Sequence, residues 1–90
     1  MTVHVFITGR VHGVGFRQFI RYNAKKLNIS GWITNLPDHR IEAVYIGNDK
    51  AVKEMVEISK KGPFLAEVES IEVDWEFKTD TDIIDFQIIK

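Results

Sequence analysis

Hydrophobic and polar positions along the chain change period several times, and each change marks an element. In Val3-His4-Val5-Phe6-Ile7-Thr8, the β-branched residues Val3, Val5 and Ile7 alternate on one side, which predicts a first strand. The run Gly9-Arg10-Val11-His12-Gly13-Val14-Gly15 holds three glycines and reads as a loop. From Phe16 the period becomes helical. Phe16, Phe19, Ile20, Ala24 and Leu27 share a face while Arg17, Arg21, Lys25 and Lys26 look elsewhere, and the helix should end near Asn28. Gly31 to Thr34 is a short second strand, Leu36-Pro37-Asp38-His39 a turn, and Arg40 to Ile46 a third strand. Asn48 or Asp49 can cap a second amphipathic helix whose inner face is Ala51, Val52, Met55, Val56 and Ser59, with Gly62-Pro63 as its stop.

The fourth strand, about Glu67 to Phe77, changes phase: Val68 is followed by Ile71, Val73, Trp75 and Phe77, which predicts a β-bulge near Glu69-Ser70. Lys78 to Asp82 should be a polar turn, and Ile84, Phe86 and Ile88 alternate in a final strand. Two helices cannot cover both faces of a five-stranded sheet, so both should pack on one face. The expected fold is α+β: a ferredoxin-like βαββαβ sandwich, mostly antiparallel, with an additional C-terminal strand. The first β-helix-β unit should cross over right-handedly, with the third strand inserted antiparallel between the first two. The glycine loop and Asn35 then become neighbours at one edge of the sheet.

Ninety residues are one domain's worth, residues 1–90, and 44% apolar with 28% charged is ordinary globular composition. Cysteine is absent, which excludes disulfides, thiolate catalysis and thiolate-held metal clusters. No apolar run approaches the roughly 20 residues of a membrane span and no signal-peptide pattern precedes the first strand, so a cytoplasmic protein is expected. The net charge of -1 argues against a dedicated nucleic-acid binder but hides a division. Residues 1–45 hold six cations and two anions, residues 46–90 six cations and eleven anions, and all four arginines lie in the first half. If the chain has an anion site, it should be sought there.

The spacing G-x-x-x-G-x-G matches neither the dinucleotide nor the Walker pattern. Converging backbone N–H groups, a helix N-terminus behind them and Arg17 in the first turn would still make a phosphate cradle. The residues equally allow a plainer account, in which the glycines only ease a tight connection, Arg17 is a solvated helix arginine and Asn35 begins a turn.

Gly9-Arg10-Val11-His12-Gly13-Val14-Gly15-Phe16-Arg17 closely resembles the phosphate-binding loop of the acylphosphatase family, G-x-V-Q-G-V-x-F-R. Gly31-Trp32-Ile33-Thr34-Asn35 through Ile41 to Gly47 resembles the family's second element, and Gly62-Pro63 with Ala66, Val68, Val73 and Trp75 resembles its later stretch. The resemblance covers nearly the whole chain. His12 stands where Gln is usual, Thr34 where a longer or basic side chain is common, and His39 where Gly is usual.

The resemblance implies metal-independent hydrolysis of acyl phosphates to a carboxylate and inorganic phosphate, without cofactor. It implies that Arg17 and the backbone of Val11, His12, Gly13, Val14, Gly15 and Phe16 bind the phosphate, and that Asn35 holds the attacking water. It implies a small acyl phosphate as partner and inorganic phosphate as product or inhibitor; charge and hydropathy argue for no nucleic acid and no membrane, and a monomer is expected. His4, flanked by Phe6 and Thr8 on one strand face, reads as structural, and the histidines are too scattered for zinc. Two rivals remain. Phe6, Trp32 and Tyr45 could stack RNA bases, although the third strand lacks the basic-aromatic run such domains carry. An acylphosphatase-like domain that senses a carbamoyl phosphate-like ligand would sit at the front of a longer chain.

Overall fold

The computed structural model describes residues 1–79 and 83–89. Its elements are β1 (Thr2–Arg10), α1 (Phe16–Lys26), β2 (Ser30–Asn35), β3 (Ile41–Ile46), α2 (Asp49–Lys61), β4 (Glu67–Asp74) and β5 (Phe86–Ile89). The sheet order is β4-β1-β3-β2-β5, so β3 is inserted between β1 and β2 and pairs antiparallel with each. β4 is antiparallel to β1, and only β5 runs parallel to its neighbour, β2. This is the expected ferredoxin-like α+β arrangement.

Alternation in β1 buries Val3, Val5 and Ile7 completely, and Ile33, Ile41, Ala43 and Tyr45 join them on the same face. Both helices close over that face, α1 through Phe16, Ile20 and Ala24 and α2 through Val52, Met55 and Val56, in one continuous core. Tyr45 lies fully inside it. Its hydroxyl meets Ser59 Oγ at 2.6 Å, and burial raises the phenol well above its ordinary pKa. Ser59 Oγ donates to Met55 O at 2.8 Å.

The helices stop and start as their residues dictate. Asn48 caps α2 by accepting from Ala51 N at 2.8 Å. Beyond α1, Asn28 takes φ 56°, while Ile29 N bonds Ala24 O and Asn28 N bonds Lys25 O. Those two bonds are the paired closure that satisfies a helix's last carbonyls.

The other face of the sheet has no helix and is covered by rings and ions. His4 Nε2 lies 2.7 Å from Glu42 Oε2, with the Phe6 and Phe77 rings 4.7 and 4.6 Å from the imidazole. The Arg40 guanidinium sits 4.8 Å from the Phe6 ring centroid. His4 is therefore a structural residue of this cluster.

β4 carries the expected bulge. Thr8 pairs with Ser70 but Gly9 pairs with Val68, which leaves Glu69 as the extra residue. Gly9 has φ 138°, and a Cβ there would lie 2.1 Å from Glu67 O, so the strands can approach only with glycine.

The end of β4 and the start of β5 differ from the sequence reading. β4 ends at Asp74, whose Oδ1 accepts from Glu76 N at 3.0 Å and turns the chain. Trp75 is consequently 45% exposed, and Phe77 packs on His4 across the sheet from the helices rather than extending the strand. Ile84 stands outside β5 and is 96% exposed, because pairing with β2 begins at Phe86. The expected turn over Lys78–Asp82 falls partly outside the described residues. Among the described residues no helix is long and apolar enough to cross a membrane.

Candidate active site

β1 delivers the glycine loop and β2 delivers Asn35 to the same edge of the sheet, because β3 runs back between them. Two buried side chains pin the loop: Val11 at its start and Phe16 at its end. Between them Gly13 and Gly15 take φ of 71° and 75° and remain exposed. Only residues tolerant of left-handed backbone can bend the chain so sharply here, and Gly15 is also the N-cap of α1. The first bond of α1 runs from Phe19 N to Gly15 O at 3.0 Å. The N–H groups of Phe16, Arg17 and Gln18 therefore have no carbonyl behind them, and the positive end of the helix faces the loop.

A cavity of about 290 Å³ opens at this point, lined by Val11, Gly13, Gly15, Phe16, Arg17, Gln18, Asn35 and Ile88. It brings Arg17 and Asn35 together with four of the expected loop residues. Asn35 Oδ1 is buried there and accepts no hydrogen bond from any described residue. A buried acceptor left open costs roughly 1–3 kcal/mol, which makes it a point where a polar ligand or water gains most.

The four arginines fall into two kinds. Arg10 lies 3.7 Å from Glu67, and Arg40 donates to Asp38 at 2.8 Å, an interaction that holds the Asp38 carboxyl below its ordinary pKa. Arg17 and Arg21 have no acidic group within 4 Å among the described residues. An unpaired guanidinium beside unsatisfied helix N–H groups attracts an oxyanion.

His12 and Val14 do not line the cavity. His12 turns the other way, its Nε2 lying 3.1 Å from Arg40 O, and its ring stands 5.5 Å from that of His39. His39 has φ 71°, the backbone that a glycine would adopt without cost. Gln18 and Ile88 went unrecognised in the sequence. Gln18 had only its place beside Arg17 as a signal, and Ile88 enters through the parallel register of β5, where it pairs with Ile33.

Among the described residues no carboxylate or imidazole lines the cavity. No group of three or more His, Cys, Asp or Glu that could hold a metal ion occurs among the described residues. Tyr45, a candidate base-stacking residue, is buried under the helices, and Phe6 is engaged by His4 and Arg40 on the opposite face.

The acylphosphatase family model matches residues 3–88. An acylphosphatase of Roseiflexus sp. is 49% identical over 76 residues, covering 84% of this chain and 82% of that protein. One from Chloroflexus aurantiacus is 46% identical over 76 residues, covering 84% and 83%. The crystal structure of acylphosphatase from Bacillus subtilis matches with a TM-score of 0.90 at 31% identity, over 99% of this chain and 98% of that one.

Proposed function

The chain belongs to the acylphosphatase family, and from that membership we propose that it hydrolyses acyl phosphates at the cavity between the glycine loop and Asn35. Residues 1–90 act in this reading as one domain. The phosphate sits in the loop formed by Val11, His12, Gly13, Val14, Gly15 and Phe16, held by backbone N–H groups and by the Arg17 fork. Arg17 and the helix dipole stabilise the charge that gathers on the equatorial oxygens of a loose phosphoryl transition state.

Asn35 accepts a hydrogen bond from a water through Oδ1, that proton staying on the water oxygen, which leaves a water lone pair free to point at phosphorus. The new P–O bond forms as the bond to the acyl oxygen breaks, and the electron pair leaves with the carboxylate. The water's second proton passes to a phosphoryl oxygen, so the products are a carboxylate and inorganic phosphate. A carboxylate is a stable leaving group, and the substrate's own phosphate serves as the proton acceptor. No side-chain acid or base is then required at the reacting atoms. The observation that carries the reading is that Asn35, whose buried Oδ1 has no partner, and the unpaired Arg17 line one cavity.

The test is phosphate release from benzoyl phosphate in the presence of EDTA. Turnover should persist without metal, and its absence in folded protein would remove the proposal. Arg17→Ala and Asn35→Ala should each lower kcat by at least about 10²-fold, as removing one preorganised donor does elsewhere. Arg17→Ala should also weaken inhibition by inorganic phosphate, which Asn35→Ala should largely spare. The same reading makes the protein a cytoplasmic monomer, the oligomeric state being checked by sedimentation.

A further inference from the structure

The cavity continues past the phosphate loop. Gln18 and Ile88 line it and also line an adjoining groove of about 410 Å³, whose other walls are Arg21, Asp85, Phe86 and Gln87. Arg17, Arg21 and Lys25 are spaced four residues apart, so they form one row down α1. The helix contains no acid to relieve that row. Lys25 finds Asp85 at 3.9 Å, and the neighbouring Lys26 lies 5.3 Å from the Tyr22 ring centroid. Arg21 has no acidic group within 4 Å among the described residues, although it is half-buried in the groove wall. Asp85 is committed elsewhere, to Lys25 and to Phe86 N at 2.8 Å.

Arg21 thus holds a permanently charged fork about 6 Å along the helix from Arg17. Ile88, which lines both the cavity and the groove, offers an apolar wall. We propose that this groove takes the acyl group and that Arg21 pairs with a second carboxylate at its far end, so that the preferred substrates are acyl phosphates of dicarboxylic acids. The inference rests on the reading that the phosphate lies against Arg17. Gln18 stands between the two anions, where its amide can donate to the acyl carbonyl. A row of cations that only steered anions would favour the more highly charged substrate at low salt alone, because screening removes that attraction; a fork in the wall of the groove keeps the preference for a carboxylate in reach.

The test compares kcat/KM for benzoyl phosphate and 4-carboxybenzoyl phosphate at about 1 M salt, where long-range steering is screened. These differ only by the carboxylate opposite the reacting group. The wild type should prefer the carboxylated substrate by about tenfold, the scale of one charge-assisted pair. Arg21→Ala should bring the ratio close to one, and Arg21→Lys should keep part of the preference. Asp85→Asn, which removes a repelling carboxylate, should raise the ratio. Thermal melts establish that each variant is folded. A wild-type ratio near one, with benzoyl phosphate turned over, overturns the inference and leaves the hydrolysis standing. A preference that survives Arg21→Ala also overturns it, and failure to turn over either substrate removes both readings.

Discussion

The proton on His12 Nε2 is fixed by its partner, since a backbone carbonyl such as Arg40 O can only accept. His12 is thereby a donor that ties the glycine loop to the β2–β3 hairpin. That carbonyl also accepts from Leu36 N at 2.8 Å, next to Asn35, so one atom registers the two halves of the site. A glutamine amide can make the same donation. His12→Gln should keep kcat/KM within about threefold, while His12→Ala should lower it by up to about tenfold, the scale of one net hydrogen bond. Loss of turnover in His12→Gln would instead make the imidazole a base.

The loop motif makes Arg17 and Asn35 legible as residues, because an arginine after a glycine loop and an amide at a strand end are chemically specific. Which arginines stay unpaired is only partly local: Arg40 takes Asp38 two residues before it, but the contact of Arg10 with Glu67 exists only once β4 pairs with β1.

Between elements, β3 and α2 share a polar contact inside an apolar core. Ser59 gives its one proton to Met55 O, so Tyr45 must donate to Ser59 Oγ. The two removals are therefore unequal. Ser59→Ala strands a buried phenol donor and should cost about 1–3 kcal/mol, whereas Tyr45→Phe leaves Ser59 bonded to Met55 and should cost less. Combining them should recover much of the Ser59→Ala loss, as read from urea unfolding midpoints.

Periodicity located all seven elements, and even the bulge at Glu69, because a phase slip in β4 cannot be hidden when one face is buried. It failed at strand ends. Trp75 and Ile84 continue their alternating patterns, but Asp74 and Asp85 hydrogen-bond the backbone nearby and the ladders stop or start there. An apolar residue in phase is not a strand residue without a neighbour to pair.

Across the whole molecule the charge is segregated. The first half supplies the cavity's cations, while most acids lie on β4 and the segments after α2. An anionic substrate is therefore drawn to a locally positive edge of a protein whose net charge is -1. Raising salt from about 0.01 M to about 1 M shortens the screening length from roughly 30 Å to roughly 3 Å. Under the proposed function kcat/KM for benzoyl phosphate should fall severalfold across that range with kcat nearly constant. An unchanged kcat/KM would show that the exposed charges do not assist encounter.

β5 has a role out of proportion to its four residues. It buries Phe86, sets Ile88 in the cavity wall and covers the outer edge of β2. A ribosome delivers both signature motifs early and this strand late. During synthesis the nascent chain thus carries the whole recognisable loop, its arginine and its asparagine while the wall beside them is still missing. Under the proposed function the substrate cavity is complete only once β5 docks, so the order of translation, and not the motifs alone, bears on when the protein can meet its substrate.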